Sequence, residues 1–453
     1  MKPHKNIMFL SLFLMLVGPA ILQADSLTVT ETPPREMLGL KITGFVEFSS
    51  LEMAGAQAGD IMTHYNGVKL ESIEQLLALR DQVEPADIEV VLKRGSEDIR
   101  VTVPKGQLGV YLKALAADHQ IDNDAKIIEG LGHLDWGIGM ENSFLGCVTL
   151  LEEKYGSKLS YPDLLGLSGY GFRFHFFDGY CPSSPDATCG RDLGGEILKK
   201  LGYVYERFTL PDTSQMSRDE ITQAKEKLLN EIKANVDLGW PVIAIDLIDV
   251  AEWGLVTGYQ KNGTELFCRT YFDLTDRYEI AQKSPWVIYA IKGKKEMDLK
   301  DEYWKSLILA KELYNEKKYG SYANGINGIK VWLKNLKDGK LYKQMNDKKL
   351  YDAMHANWWI YYSLADARTL VNKYLTANQE KFGVKGETIE KLAKLMEQES
   401  ALLWNNFNAI PSSFSNQDAS AWTAGSRADQ AKVLAEFLAL EEQANRILKK
   451  EIK

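Results

Sequence analysis

The chain lacks most of the features that settle a protein's class at a glance. Lys and Arg number 54 against 62 Asp and Glu, a net charge of −8. No basic excess exists to neutralise a phosphate backbone, which sets nucleic acid aside as a partner. Four cysteines and six histidines are few. No CxxC or HxxxH spacing occurs among them, so neither a metal site nor a bound cofactor is expected. After the first 24 residues no stretch is long and apolar enough to span a bilayer. No Cys follows that opening apolar run, which disfavours a lipid anchor, and no repeat of fixed period is seen.

What is present starts with residues 1–24. MKPHK is a short basic start, IMFLSLFLMLVGPAIL is an apolar core, and Gln23-Ala24 precedes Asp25-Ser26. This pattern reads as a cleavable secretory signal. The mature chain is therefore expected to be soluble and exported, periplasmic or extracellular, with no membrane contact once the signal is removed. Export changes the reading of the cysteines. Cys181 and Cys189 bracket CPSSPDATC, a turn-rich segment short enough for a local disulfide. Cys147 and Cys268 lie in apolar contexts and read as buried thiols.

At 453 residues the chain is too long for one ordinary core. Its pattern divides into segments of a multidomain α+β protein. Residues 25–36 are polar, contain Pro33 and Pro34, and read as a linker. Residues 37–115 alternate β-rich runs with turn signals around an amphipathic helix, ESIEQLLALRDQV. Residues 116–295 hold a helix at 143–155, a Gly- and aromatic-rich stretch, further helices and three late β runs. Residues 296–453 are helical, with helices expected at 299–318, 322–336, 348–376, 386–407 and 426–451. Trp304, Trp332, Trp358, Trp359 and Trp404 fall at helix-compatible positions and read as core. Ser426 reads as the N-cap of the last helix.

Two resemblances follow from these segments. MLGLKI, AGAQAGDIMTHYNGVKL, the helix and the EVVLKRGSEDIRVTV hairpin together resemble a bacterial PDZ domain of the HtrA-protease type. The resemblance implies a peptide-binding module. Met37-Leu38-Gly39-Leu40 would offer N–H groups to a peptide or protein C-terminus. The peptide would add as a strand between Leu40-Lys41-Ile42 and the helix that carries Leu76 and Arg80.

The second module is similar to the papain-like domain of bacteriocin-leader peptidases, and closer still to the N-terminal domain of the butirosin-biosynthesis acyltransferase. SFLGCVTLLEEKYG, YPDLLGLSGYGFRF, GWPVIAIDL, EWGLVTGYQKNG and RTYFD carry the likeness. The peptidase pattern implies a nucleophilic Cys thirteen residues before the Gly that closes the helix, and counting back from Gly156 gives Ser143. The family's His lies six residues before the Gly of a GY turn, and counting back from Gly258 gives Glu252. Asp273 can fill the third place.

A Ser143–Glu252–Asp273 set in place of Cys, His and Asp has consequences. A hydroxyl needs a stronger base than a thiol does, and a carboxylate near its ordinary pKa of about 4.3 is a weak one. Glu252 would have to be buried and facing Ser143 to serve. Cys147, one turn into the helix, reads as a core residue and a lesser candidate nucleophile. His133 and His175 are the remaining candidate bases of the module, His175 among aromatics. His133, Asp135, Glu141, Arg173 and Trp253 could line a pocket for a small ligand. The sequence thus points first to an exported recognition protein with a degenerate, non-proteolytic papain-like domain. A hydrolase or acyl/amide transferase with a variant site is the alternative, and an oligomerising scaffold a third.

Overall fold

The structure, a computed structural model, describes residues 35–453 except 47, 83–86, 107, 135–138, 158, 213–215, 415, 417 and 453. The expected signal segment and nearly all of the linker lie outside the described residues. The chain is an α+β protein of two compact units. One takes the chain up to Ile127 with Leu247–Val250 and Gly258–Ser284. The other takes Ile128–Asp246, Ala251–Thr257 and Pro285–Lys453.

The first unit grows from the alternation in MLGLKITGF. It forms strand β1 (Met37–Phe45), with Leu40 and Ile42 fully buried. There follow α1 (Ser50–Met53), β2 (Ile61–Tyr65), β3 (Val68–Lys69), α2 (Ile73–Gln82), β4 (Asp87–Arg94), β5 (Glu97–Pro104) and β6 (Val110–Ala116). The sheet order is β5-β4-β2-β1-β6, with β3 attached to β2. Asn66 and Gly67, at φ +49° and +77°, turn β2 into β3, as an Asn-Gly pair does. Leu40, Ile42, Met62, Leu76 and Val90 share the core.

Residues beyond 115 also join this unit. β7 (Lys126–Ile127) pairs with the end of β11 (Trp253–Gln260), and β12 (Glu265–Arg269) pairs with β13 (Glu279–Ile280). Ala116 N donates to Leu274 O at 2.6 Å, and Arg35 meets Glu279 at 2.9 Å.

The second unit holds α3 (Ser143–Tyr155), α4 (Tyr161–Leu167), β8 (His175–Phe177), α5 (Leu193–Lys200), β9 (Tyr203–Thr209), α6 (Arg218–Asp237), β10 (Val242–Ile245) and β14 (Val287–Lys294). β10 lies between the first half of β11 and β14, with β9 beyond, all antiparallel.

The C-terminal region is helical: α7 (Glu302–Asn315), α8 (Gly325–Lys337), α9 (Gly339–Lys343), α10 (Asp347–Ala377), α11 (Gly386–Asn406) and α12 (Ala424–Glu451), with a short hairpin of β15 (Lys318–Tyr319) and β16 (Tyr322–Asn324). Thr423, not Ser426, caps α12, accepting the Ser426 N–H at 3.0 Å. This region shares its core with the middle of the chain. β16 pairs with β8, and Phe174, Phe176 and Tyr180 pack with Trp332, Tyr361 and Phe437. The expected division at 295/296 therefore does not separate two cores. No helix among the described residues is long and apolar enough to cross a membrane.

Candidate active site

Helix α3 starts where a short polar residue meets an apolar run. Asn142 caps it, its Oδ1 accepting the Leu145 N–H at 3.1 Å. Asn142 is itself held twice. Its N–H donates to Tyr161 Oη at 2.8 Å, and its Nδ2 donates to Pro185 O at 3.4 Å. Ser143 is thereby fixed as the first helical residue, 3% exposed.

The expected base arrives on the hairpin β10–β11. Asp246 N donates to Glu252 O at 3.0 Å, closing the turn that puts Glu252 just ahead of Trp253. Ser143 Oγ donates to Glu252 Oε2 at 2.5 Å and accepts the Trp253 backbone N–H at 3.1 Å. The carboxyl of Glu252 rises to about 7. Burial is the largest cause; the Ser143 hydrogen bond opposes it, and the charges of Asp186 and Glu141 add to it. So the two residues found by counting are brought together, and Glu252 titrates where a general base is useful.

Trp253 locks this geometry. Its ring meets Phe144 edge-on at 5.1 Å, and its Nε1 donates to Asp186 Oδ2 at 2.7 Å. Asp186 Oδ1 accepts from Thr188 N at 2.6 Å and Thr188 Oγ1 at 2.7 Å. Arg173 secures the same loop through backbone carbonyls. Nη1 donates to Cys189 O and Arg191 O, and Nη2 to Asp186 O and Pro185 O. The pocket role expected of Arg173 is thus largely one of holding the 185–191 loop.

Asp273 stands in the other compact unit, fully buried. Its carboxylate accepts from Arg269 Nη1 at 2.7 Å, Thr270 N at 2.8 Å and Thr270 Oγ1 at 2.9 Å. Those partners occupy the groups a third triad member would need. Cys147 is fully buried, and burial, then Glu252, pushes its thiol well up, so it is no thiolate.

Glu141, half-buried just before the cap, bonds Tyr362 from α10. Burial, then Glu141, pushes the Asp366 carboxyl well up. Sequence reading missed both α10 residues, because nothing local ties them to a helix that starts at Ser143, far earlier in the chain. His133 is half-buried on the loop before α3, and Asp135 lies outside the described residues. Cys181 and Cys189 are free thiols here, not the expected disulfide. The Cys189 thiol is pushed up to about 12, by burial first and then Asp186, while it hydrogen-bonds with Tyr322.

In the first unit the expected peptide strand is closed. β1, with Met37, Leu38, Gly39, Leu40 and Ile42, pairs with β6 along its length and with β2 through Leu40 and Lys41. A peptide finds no open edge there. Gly39, at φ +134°, has its own reason: a Cβ would meet Met62 O at 2.5 Å. Leu76 is buried in the core, and Arg80 is half-buried and paired with Asp81 at 3.2 Å.

The sheet ends in β5 on one side and β6 on the other, and α2 packs against β6. Gly109, at φ +73°, leads into β6, and a Cβ there would meet Ser49 Cα at 2.8 Å. The carbonyl of Leu108 is taken by Ser49 Oγ at 2.9 Å and Leu51 N at 3.3 Å. A second Leu-Gly pair, Leu108-Gly109, thus precedes β6, as Leu38-Gly39 lies in β1.

Compared with known proteins, the chain matches no family model, and no curated protein matches it.

Proposed function

We propose that the protein is an acyl-transfer enzyme, a hydrolase or acyl/amide transferase, with Ser143 as nucleophile and Glu252 as general base. The observation that carries this reading is the Ser143 Oγ–Glu252 Oε2 hydrogen bond at 2.5 Å to a carboxyl raised to about 7. In the proposed step Oγ bonds to the substrate's carbonyl carbon, and its proton passes to Glu252 Oε2. The carbonyl oxygen becomes an oxyanion beside the start of α3, where the first N–H groups of a helix lack intrahelical partners. Collapse breaks the acyl bond, and protonated Glu252 returns its proton to the leaving group. Water or an amine then takes the acyl group by the same path in reverse.

Two further proposals accompany it. The chain is exported, on the strength of its first 24 residues. Its first unit is a PDZ-like module that takes a peptide C-terminus along β6 and α2, β6 being an outer strand of the sheet.

The second reading, a binding protein with no turnover, is favoured by one observation: Ser143 is only 3% exposed. A fluorophosphonate probe on the intact protein separates the two. The enzyme reading expects labelling that Ser143→Ala and Glu252→Gln both abolish, while Cys147→Ala retains it. Labelling that survives Ser143→Ala, or none at any pH from 5 to 9, overturns it in favour of binding.

A further inference from the structure

The second unit contains a cavity of about 30 Å³ whose lining includes Tyr170, Arg173, His175, Ser184, Pro185 and Ser363. Two of these connect it to the cap of α3. Pro185 O accepts from Asn142 Nδ2, and Tyr170 hydrogen-bonds Asn142.

His175 is 4% exposed, and neither Nδ1 nor Nε2 makes a hydrogen bond of normal geometry. Its ring stacks on Tyr322, centroids 4.3 Å apart, which fixes its plane. Burial, then the Arg173 charge, holds it well below the ordinary histidine value, against an opposing pull from the Ser184 backbone. The ring is therefore neutral, with one N–H donor and one bare acceptor nitrogen. With the Ser184 backbone facing one nitrogen, the other is left buried and asks for a partner.

The surroundings select that partner. Arg173 is engaged by four backbone carbonyls and offers no open fork to a carboxylate. Its charge also repels a cation. The remaining polar lining is hydroxyl, from Ser184, Ser363 and Tyr170, the last already bonded to Asn142, and Leu364 and Ala367 add an apolar wall. A neutral group with both a donor and an acceptor suits this mixture. At roughly 10–15 Å³ per water on this measure, the space takes about two to three water-sized atoms. The carbon, nitrogen and oxygen of a carboxamide head number three.

We propose that this cavity is a subsite for a neutral carboxamide, bonded by His175 on one side and by the Ser184 and Ser363 hydroxyls on the other. A carboxamide suits His175 in either tautomer. The subsite does not depend on Ser143 being a nucleophile.

The test follows the imidazole ¹⁵N resonances of the intact protein, with His175 assigned by His175→Phe, as acetamide, acetate or methylammonium is added. Acetamide is expected to shift the His175 signals saturably, and at least about tenfold more tightly than the two ions. Ser363→Val, which removes a hydroxyl and narrows the space, is expected to weaken acetamide about tenfold. Ser143→Ala is expected to leave it unchanged, which separates this proposal from the acyl-transfer reading. Failure of acetamide to shift His175 overturns the proposal, leaving a cavity for water only. Equal binding of acetate, or an unaffected Ser363→Val, overturns it as well. If His175→Phe does not fold, His175→Gln makes the assignment in its place, and the Ser363→Val comparison still decides.

Discussion

Glu252 and Glu279 are glutamates of the same chain, one in each compact unit, and burial is the largest influence on both. Their carboxyls nevertheless move in opposite directions. Glu279 bonds His119 Nε2, Arg35 Nη2 at 2.9 Å and Leu274 N at 3.1 Å, and these partners hold it below the ordinary carboxylate range despite its burial. Glu252 has a serine hydroxyl where Glu279 has the Arg35 cation, and carboxylates of Asp186 and Glu141 for neighbours. It ends at about 7. Burial alone does not make a carboxyl reactive. A buried carboxyl without a cation is costly to ionise, and that cost is what leaves it able to take a proton.

The contrast breaks hardest at Ser143. Glu252→Gln keeps the shape of the site and removes its base, so probe labelling is expected to fall by at least about 100-fold. The same variant carries a stability signature. Because the folded carboxyl titrates above its unfolded value of 4.5, its favourable contribution is complete below pH 4.5 and is lost as pH rises through about 7. Glu252→Gln should therefore be more stable than the parent at pH 8, by on the order of 1–3 kcal/mol, with that advantage shrinking toward pH 4.5. Urea unfolding at both pH values measures it; no gain at pH 8 would mean that Glu252 is not strained by ionisation.

Glu279→Gln should do the reverse. A lowered carboxyl contributes stability above its unfolded pKa and loses it as pH falls through the folded value. Its loss is expected to cost about 1.5–3 kcal/mol at pH 7, the worth of charge-assisted hydrogen bonds, and much less near pH 3. A cost that stayed constant across that range would place the effect in shape and not in charge. A smaller test sits on the sheet of the first unit: Gly109→Ala forces a Cβ to 2.8 Å from Ser49 Cα at φ +73°, and should cost about 1–3 kcal/mol in the same assay.

Local chemistry made much of this legible in advance. The helix expected at 143–155 is found at those limits, with Asn142 capping it, and Asn66-Gly67 makes the turn that its residue types favour. Counting from Gly156 and Gly258 by the spacing of the peptidase pattern that the chain resembles reached Ser143 and Glu252, which the structure brings into hydrogen bond. What escaped depends on pairings distant in sequence. β1 repeats the Leu-Gly signal that β6 also carries, and only the strand order shows which of them ends the sheet. Asp273 follows the β run where a third member was expected, yet Arg269 and Thr270, its own neighbours in the chain, occupy its carboxylate. Tyr362 and Asp366 reach Glu141 only because α10 and the 174–180 segment share a core, which no local periodicity encodes.

The smallest expected effect sharpens the comparison most. Asp186→Asn keeps the side chain's shape and removes a negative charge that acts on Glu252, but its single oxygen serves either Trp253 Nε1, now 2.7 Å from Oδ2, or Thr188, now on Oδ1. Removing a like charge eases ionisation, so the Glu252 carboxyl should fall from about 7 toward the ordinary glutamate value. The pH midpoint of Ser143 labelling should drop by roughly half a unit to one unit, with the labelling rate on the alkaline plateau little changed. A lower plateau with an unmoved midpoint would instead assign Asp186 to holding Trp253, and through its backbone N–H the hydroxyl of Ser143. The two outcomes separate charge from geometry as the reason Glu252 differs from Glu279.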